Sequence, residues 1–84
     1  MNPNALKAKL ESLAPNTTAV VTDTTGTEDH FEAVIVSPAF EGKIRIERHR
    51  LVMSLLDKEM KTGDIHALTM KTWTPEEQTS KGTK

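Results

Sequence analysis

The stretch from Ile44 to Trp73 reads IRIERHRLVMSLLDKEMKTGDIHALTMKTW, and it predicts a long helix followed by a strand. From Ile44 to about Met60, apolar residues recur at helical spacing in a stripe formed by Leu51, Val52, Leu55, Leu56 and Met60. Gly63 suits the left-handed cap that ends such a helix, and Ile65 to Trp73 alternates as a strand. Because a long helical crossover usually joins parallel strands, this strand is expected to lie parallel to its sheet neighbour.

The residues before this stretch predict a helix followed by two strands. Asn2-Pro3-Asn4 has the cap and the early proline of a helix start, and the leucines at 6, 10 and 13 share one face. Pro15 ends this helix, because the residue before a proline is disfavoured in the helical conformation. Residues 17–23 and 31–37 are rich in strand-forming side chains and flank a polar turn, so they predict a hairpin.

The rest of the chain completes an α/β domain. Phe40 is expected in the core, Gly42 lets the backbone turn, and Thr74-Pro75-Glu76 opens a short final helix. The predicted order is αββαβα, which gives a three-stranded mixed sheet with helices packed on it. Residues 1–78 are expected to form a single domain, with residues 79–84 as a flexible C-terminal tail.

Composition excludes several classes of protein. The 84 residues include no cysteine, so disulfides, zinc ribbons, thiolate-only clusters and thiol nucleophiles are absent. The N-terminus lacks the basic-then-apolar run of a signal peptide, and no apolar run approaches the roughly 18 residues of a membrane span. We therefore expect a cytoplasmic protein with no membrane contact. No Ser-His-Asp or Cys-His set is apparent, so we expect no enzyme activity.

Three segments, taken together and in this order, resemble the BolA-like family. They are Phe40-x-Gly42, then Arg48-His49-Arg50-x-Val52-x-x-x-Leu56, then Ile65-His66-Ala67-Leu68 followed by Thr74-Pro75-Glu76. The resemblance, to a bacterial-type member, implies a fold like a type II KH domain. It also implies a non-enzymatic adaptor that binds a monothiol glutaredoxin and shares a [2Fe–2S] cluster with it, in iron–sulfur trafficking or iron regulation. The partner would supply its own cysteine and a glutathione thiol. Alone, the protein would hold no cofactor and would be a monomer or a weak homodimer.

The resemblance identifies His66 as a metal ligand, and imidazole is a suitable ligand for iron. The alternative is that His66 points into the core beside Leu68 and Met70. The family's second ligand lies in the loop before the second strand, where this chain has Thr27, and a hydroxyl is a poor iron ligand. His30 is the nearby imidazole and the second candidate, although it also reads as an exposed strand-edge residue.

Three other groups of polar residues have competing interpretations. Asp29 and Glu28 offer carboxylates in the same loop, but such residues are more often solvated turn residues. His49 lies at helical spacing from the apolar stripe, which favours a packing or hydrogen-bonding role over ligation. A basic cluster gathers around the start of the long helix, and it consists of Lys43, Arg45, Arg48 and Arg50.

The basic cluster suggests an alternative function as a nucleic-acid-binding transcriptional regulator, with DNA as the partner. The formal net charge of −1 and the lack of a Gly-x-x-Gly loop argue against it. The same cluster fits a docking surface for an acidic protein partner or a glutathione carboxylate. A solvated helix face is the plainest interpretation.

Overall fold

The computed structural model describes residues 1–82, except for the side chains of residues 80–82. Within these residues the strands are β1 (Thr18–Asp23), β2 (His30–Val36) and β3 (Ala67–Trp73). The helices are α1 (Pro3–Glu11), α2 (Arg45–Leu55), α3 (Asp57–Thr62) and α4 (Pro75–Gly82), and a 3-10 turn spans Pro38–Phe40. Among the same residues, no helix has the length and apolar character needed to cross a membrane.

The strands form one mixed sheet in the order β1-β2-β3. β1 pairs with β2 in the antiparallel sense, and β2 pairs with β3 in the parallel sense. The crossover through α2 and α3 therefore joins parallel strands, as its length predicts. The predicted α/β fold with a three-stranded mixed sheet is confirmed. Because β2 and β3 are parallel, the loops that precede them emerge at the same end of the sheet.

The core fills the space between one face of the sheet and the helices. Phe40, predicted to lie in the core, is fully buried, and the turn after it passes through Gly42 at a φ of 74°. Leu6 and Leu10 bring α1 to the core, while Val52 and Leu56 bring the crossover. The remaining buried apolar residues are Ala19, Phe31, Ala33, Ile35 and Ile65.

The long helix predicted from Ile44 to Met60 is two helices, α2 and α3, separated at Leu56. Leu56 has φ −99° and ψ 14°, outside helical values, yet its side chain is fully buried. Main-chain hydrogen bonds still join Leu56 to Val52 and Met60 to Leu56, at 3.1 and 3.0 Å. The apolar stripe therefore continues across a change of direction, which is why periodicity alone does not reveal the break.

Other boundaries also shift from the predicted ones. α1 begins as predicted, with the Asn2 side chain accepting from the Asn4 N–H, but it ends at Glu11 rather than near Pro15. β3 begins at Ala67 rather than Ile65. The predicted tail boundary at residue 79 lies inside α4, which runs to Gly82, whereas residues 83 and 84 lie outside the described residues.

Candidate metal centre

The parallel pairing of β2 and β3 brings the two candidate histidines together. His30 is the first residue of β2 and pairs with Ala67, the first residue of β3. His66 directly precedes Ala67. The centroids of the two imidazole rings lie 5.2 Å apart, with the ring planes tilted by 38°. The two sequence-predicted ligands therefore share one site at the end of the sheet where both strands begin.

His66 is exposed, so its interpretation as a core residue is wrong. The reason is the later start of β3: because His66 lies outside the strand, it does not share the face of Leu68 and Met70. Its position is nevertheless held on both sides. Its N–H donates to the Asp29 carbonyl at 2.7 Å, and the preceding Ile65 is buried in the core.

His30 is oriented by the residue before it. Its Nδ1 lies 2.8 Å from Oδ1 of Asp29, and the two side chains are 39% and 37% exposed respectively. The Thr27 hydroxyl donates to the same carboxylate oxygen. These two contacts, the Thr27 bond first and the His30 bond second, hold the pKa of Asp29 below its ordinary value.

Loop hydrogen bonds fix the main chain around this site. The Asp23 carboxylate accepts from the N–H groups of Gly26 and Glu28, at 2.9 and 3.0 Å. Glu28 has a φ of 60°, and the main-chain nitrogen of Met1 donates to its carbonyl at 2.6 Å. The same nitrogen lies 3.3 Å from the Asp64 carbonyl. The loop before β2 and the loop before β3 are thus tied to each other.

The spacing of the two rings fits a single metal centre. Two imidazoles bound to one metal through bonds of about 2.1 Å have ring centres roughly 5 Å apart, which matches the observed 5.2 Å. Within residues 1–82, no group of three or more His, Asp or Glu side chains is arranged to hold a metal ion. A metal held by His30 and His66 would therefore need further ligands from another molecule.

Three members of the basic cluster are exposed, whereas the fourth is hydrogen-bonded within the chain. Lys43, Arg45 and Arg50 are exposed. His49 is exposed too, so the packing half of its predicted packing or hydrogen-bonding role is wrong. The Arg48 side chain is only 12% exposed. It is therefore not presented to a partner as the sequence suggests.

Arg48 instead holds α2, β3 and α4 together. Its Nη1 and Nη2 donate to the two carboxylate oxygens of Glu77 at 2.7 and 3.1 Å. Nη1 also donates to the Thr72 carbonyl at 3.1 Å, and Nε donates to the Lys43 carbonyl at 2.8 Å. The Arg48 hydrogen bond, followed by the Thr74 N–H, lowers the pKa of Glu77 to about 2.

Arg48 and Glu77 also line part of a groove of about 660 Å³. Lys43 and Arg45 line it from the α2 side, and Lys71 and Trp73 line it from β3. Lys71 is absent from the predicted basic cluster, because it lies far along the chain from the other members. The folded chain brings Lys71, on β3, to the same groove as Lys43 and Arg45.

Comparisons with known proteins agree with this fold. The family model described as "BolA-like protein" matches residues 1–77. A crystal structure of a bol-like protein from Babesia bovis has a TM-score of 0.84 and 38% identity, covering 98% of this chain and 94% of that chain.

Two curated relatives show how the family is described elsewhere. SufE-like protein 1, chloroplastic/mitochondrial, of Arabidopsis thaliana is 50% identical over 50 residues, which cover 60% of this chain and 13% of that protein. The DNA-binding transcriptional regulator BolA of Escherichia coli (strain K12) is 42% identical over 52 residues, covering 62% and 49% respectively. The chain thus spans less than half of the length of these two relatives. The family match covers nearly all of this chain, and the protein belongs to the BolA-like family.

Proposed function

We propose that this protein is a non-enzymatic adaptor that shares a [2Fe–2S] cluster with a monothiol glutaredoxin, in iron–sulfur trafficking or iron regulation. The observation that carries the proposal is the pair of solvent-accessible imidazoles, His30 and His66, with ring centroids 5.2 Å apart. Two histidines in place of two cysteines on one iron is an established form of cluster ligation. His66 and His30 are the ligands from this chain.

The incomplete ligand set supports a shared cluster rather than a resident one. The chain has no cysteine, and its described residues provide no larger metal-binding group at this site. A cluster bound here would require thiolates from a second protein, which the resemblance to the family assigns to the glutaredoxin cysteine and to glutathione. This chain would contribute the two imidazoles and the loop main chain that fixes their spacing.

Removal of either imidazole tests the proposal. The cluster is reconstituted anaerobically with a monothiol glutaredoxin and glutathione, and its visible circular dichroism is recorded for wild type, His66→Ala and His30→Ala. His49→Ala is the matched control, because His49 is an exposed histidine on α2, outside the pair. We expect both site variants to lose or alter the cluster spectrum and the control to keep it. A wild-type spectrum in His66→Ala would rule out this ligand.

A second candidate function is nucleic-acid binding. It is favoured by the groove lined by Lys43, Arg45 and Lys71, and by the DNA-binding name of the Escherichia coli relative. Arg48 is excluded from the phosphate-contacting set because its guanidinium is engaged by Glu77 and two carbonyls. Arg50 is exposed on α2. With Lys43 it lines a second depression, which is more open than the groove.

Salt dependence tests this second candidate. If all three groove cations neutralise phosphates, the slope of log affinity against log salt is roughly −3 on duplex DNA. Lys71→Ala should then reduce the slope by about one unit, whereas Lys61→Ala, on the exposed side of α3, should leave it unchanged. Equal slopes for the two variants would exclude the groove as the contact surface.

A further inference from the structure

Asp29 forms hydrogen bonds with both members of the histidine pair. Its carboxylate contacts Nδ1 of His30 at 2.8 Å. Its main-chain carbonyl accepts from the N–H groups of His66 and Ala67, at 2.7 and 3.1 Å. The side chain of Asp29 therefore contacts the imidazole of His30, and its main-chain carbonyl fixes the backbone of His66.

The contact with His30 determines which ring nitrogen is available. An ionised carboxylate is only an acceptor, so the hydrogen in this contact belongs to Nδ1 of His30. A neutral imidazole with its hydrogen on Nδ1 carries its lone pair on Nε2.

Thr27 fixes the carboxylate in turn. Its hydroxyl donates to Oδ1 of Asp29, the oxygen that also contacts His30. A hydroxyl is a weak iron ligand but a good donor to a carboxylate. At this loop position the chain therefore has a side chain suited to hold Asp29 rather than to hold metal.

From these contacts we propose that Asp29 is the positioning residue of the metal centre. Its carboxylate holds His30 with the hydrogen on Nδ1, so that Nε2 is the ligand atom, and Thr27 holds the carboxylate. The inference rests on the proposed ligation by His30 and His66, and it assigns the groups that prepare the site before the cluster arrives. Hydrogen bonds of this kind to ligating histidines raise their basicity and fix their orientation.

The first test uses the full chain without any metal. Long-range ¹H–¹⁵N spectra at about pH 8, above the ordinary histidine range, report which nitrogen of His30 carries the hydrogen. We expect the Nδ1–H form in wild type and a shift toward the other tautomer in Asp29→Ala. Asp29→Asn, which keeps an acceptor oxygen, should lie between them. Glu28→Gln removes an exposed carboxylate from the same loop and should behave as wild type.

The second test measures retention of the cluster. In the reconstituted heterodimer, loss of such a hydrogen bond is expected to weaken metal binding by about 10- to 100-fold. We expect Asp29→Ala to lose the cluster to an iron chelator faster by that order, Thr27→Val to show a smaller effect in the same direction, and Thr27→Ser to retain the wild-type rate. The amide spectrum of each variant verifies that the sheet is intact.

The two tests separate this inference from the proposed function. An unchanged His30 tautomer in Asp29→Ala overturns the inference, whether or not a cluster forms. A changed tautomer with unchanged cluster retention also overturns it, because the orientation would then have no consequence. Loss of the cluster in Asp29→Ala but not in His66→Ala would instead refute the ligand assignment on which the inference rests.

Discussion

The two ends of β3 use polar side chains in opposite ways. At the first end, the rings of His30 and His66 lie 5.2 Å apart at the surface, and the Asp29 carboxylate contacts one nitrogen of His30. At the second end, the Arg48 guanidinium donates to a carboxylate and two carbonyls, and it lies 5.9 Å from the Phe40 ring centroid.

Polar side chains in this small domain therefore fall into two groups, those that stabilise the fold and those that are available to a ligand. Where partners for a polar group lie within the chain, as they do for Arg48, the group stabilises the fold. Where the chain does not supply a partner for every polar atom of a group, as for the histidine pair, that group is available to an external ligand. The following predictions test this division between the two ends of β3.

The largest expected effect is the contrast between Arg48→Ala and His66→Ala in thermal unfolding. Arg48→Ala should lower the melting temperature clearly, because it removes the donor for Glu77 and for the carbonyls of Thr72 and Lys43. His66→Ala should leave the melting temperature close to that of wild type while it abolishes the cluster spectrum. Circular dichroism measures both properties.

Arg45→Ala is the control for this contrast, since Arg45 is an exposed arginine on the same helix. Its melting temperature should match that of wild type. If His66→Ala destabilised the protein as much as Arg48→Ala, the division between the two ends of β3 would be invalid.

An intermediate effect is expected in the acid range, from Glu77. Its pKa is lowered from 4.5 to about 2 in the folded protein. The stabilisation is therefore complete above the unfolded-state value and is lost as the pH falls from about 4.5 toward about 2. In urea unfolding, the stability difference between wild type and Glu77→Gln should be largest near neutral pH and should shrink across that window. A difference independent of pH would show that the carboxylate charge is not the cause.

The smallest effect is expected away from both ends of β3. Lys61 pairs with Asp57 at 3.1 Å on α3, but the two side chains are 75% and 63% exposed. Exposed pairs at this helical spacing contribute about 0.5 kcal/mol or less. Lys61→Ala should therefore unfold in urea within that margin of wild type. A larger loss of unfolding free energy would mean that exposed ion pairs stabilise this domain as much as polar groups with buried partners do.

Local patterns were sufficient to predict most of the fold. The Asn2 cap, the turn at Gly42 and the burial of Phe40 each depend on a few neighbouring residues, and the structure has all three. The parallel pairing of β3 followed from the length of the crossover. The break at Leu56 was not predictable, because the apolar periodicity continues through it.

The site was less accessible to sequence reasoning. His66 was predicted to be a ligand from the resemblance, but its exposure depends on where β3 begins. Because β3 starts two residues later than predicted, His66 lies before the strand and outside its alternation of faces. The role of Arg48 was hidden for another reason. Its partner Glu77 lies on a different helix, so a count of nearby charges grouped Arg48 with the exposed cations. Contacts between distant segments decide both cases.

The parallel alignment of β2 and β3 has a consequence for when the site exists. His30 and His66 belong to segments separated by the whole helical crossover, and they meet only when both strands occupy the finished sheet. An unfolded or half-folded chain has no paired imidazoles to offer. Because binding to the native state alone also stabilises that state, cargo delivered here would be accepted only by correctly folded molecules. Under the proposed function, the strand pairing would therefore restrict cluster binding to folded molecules.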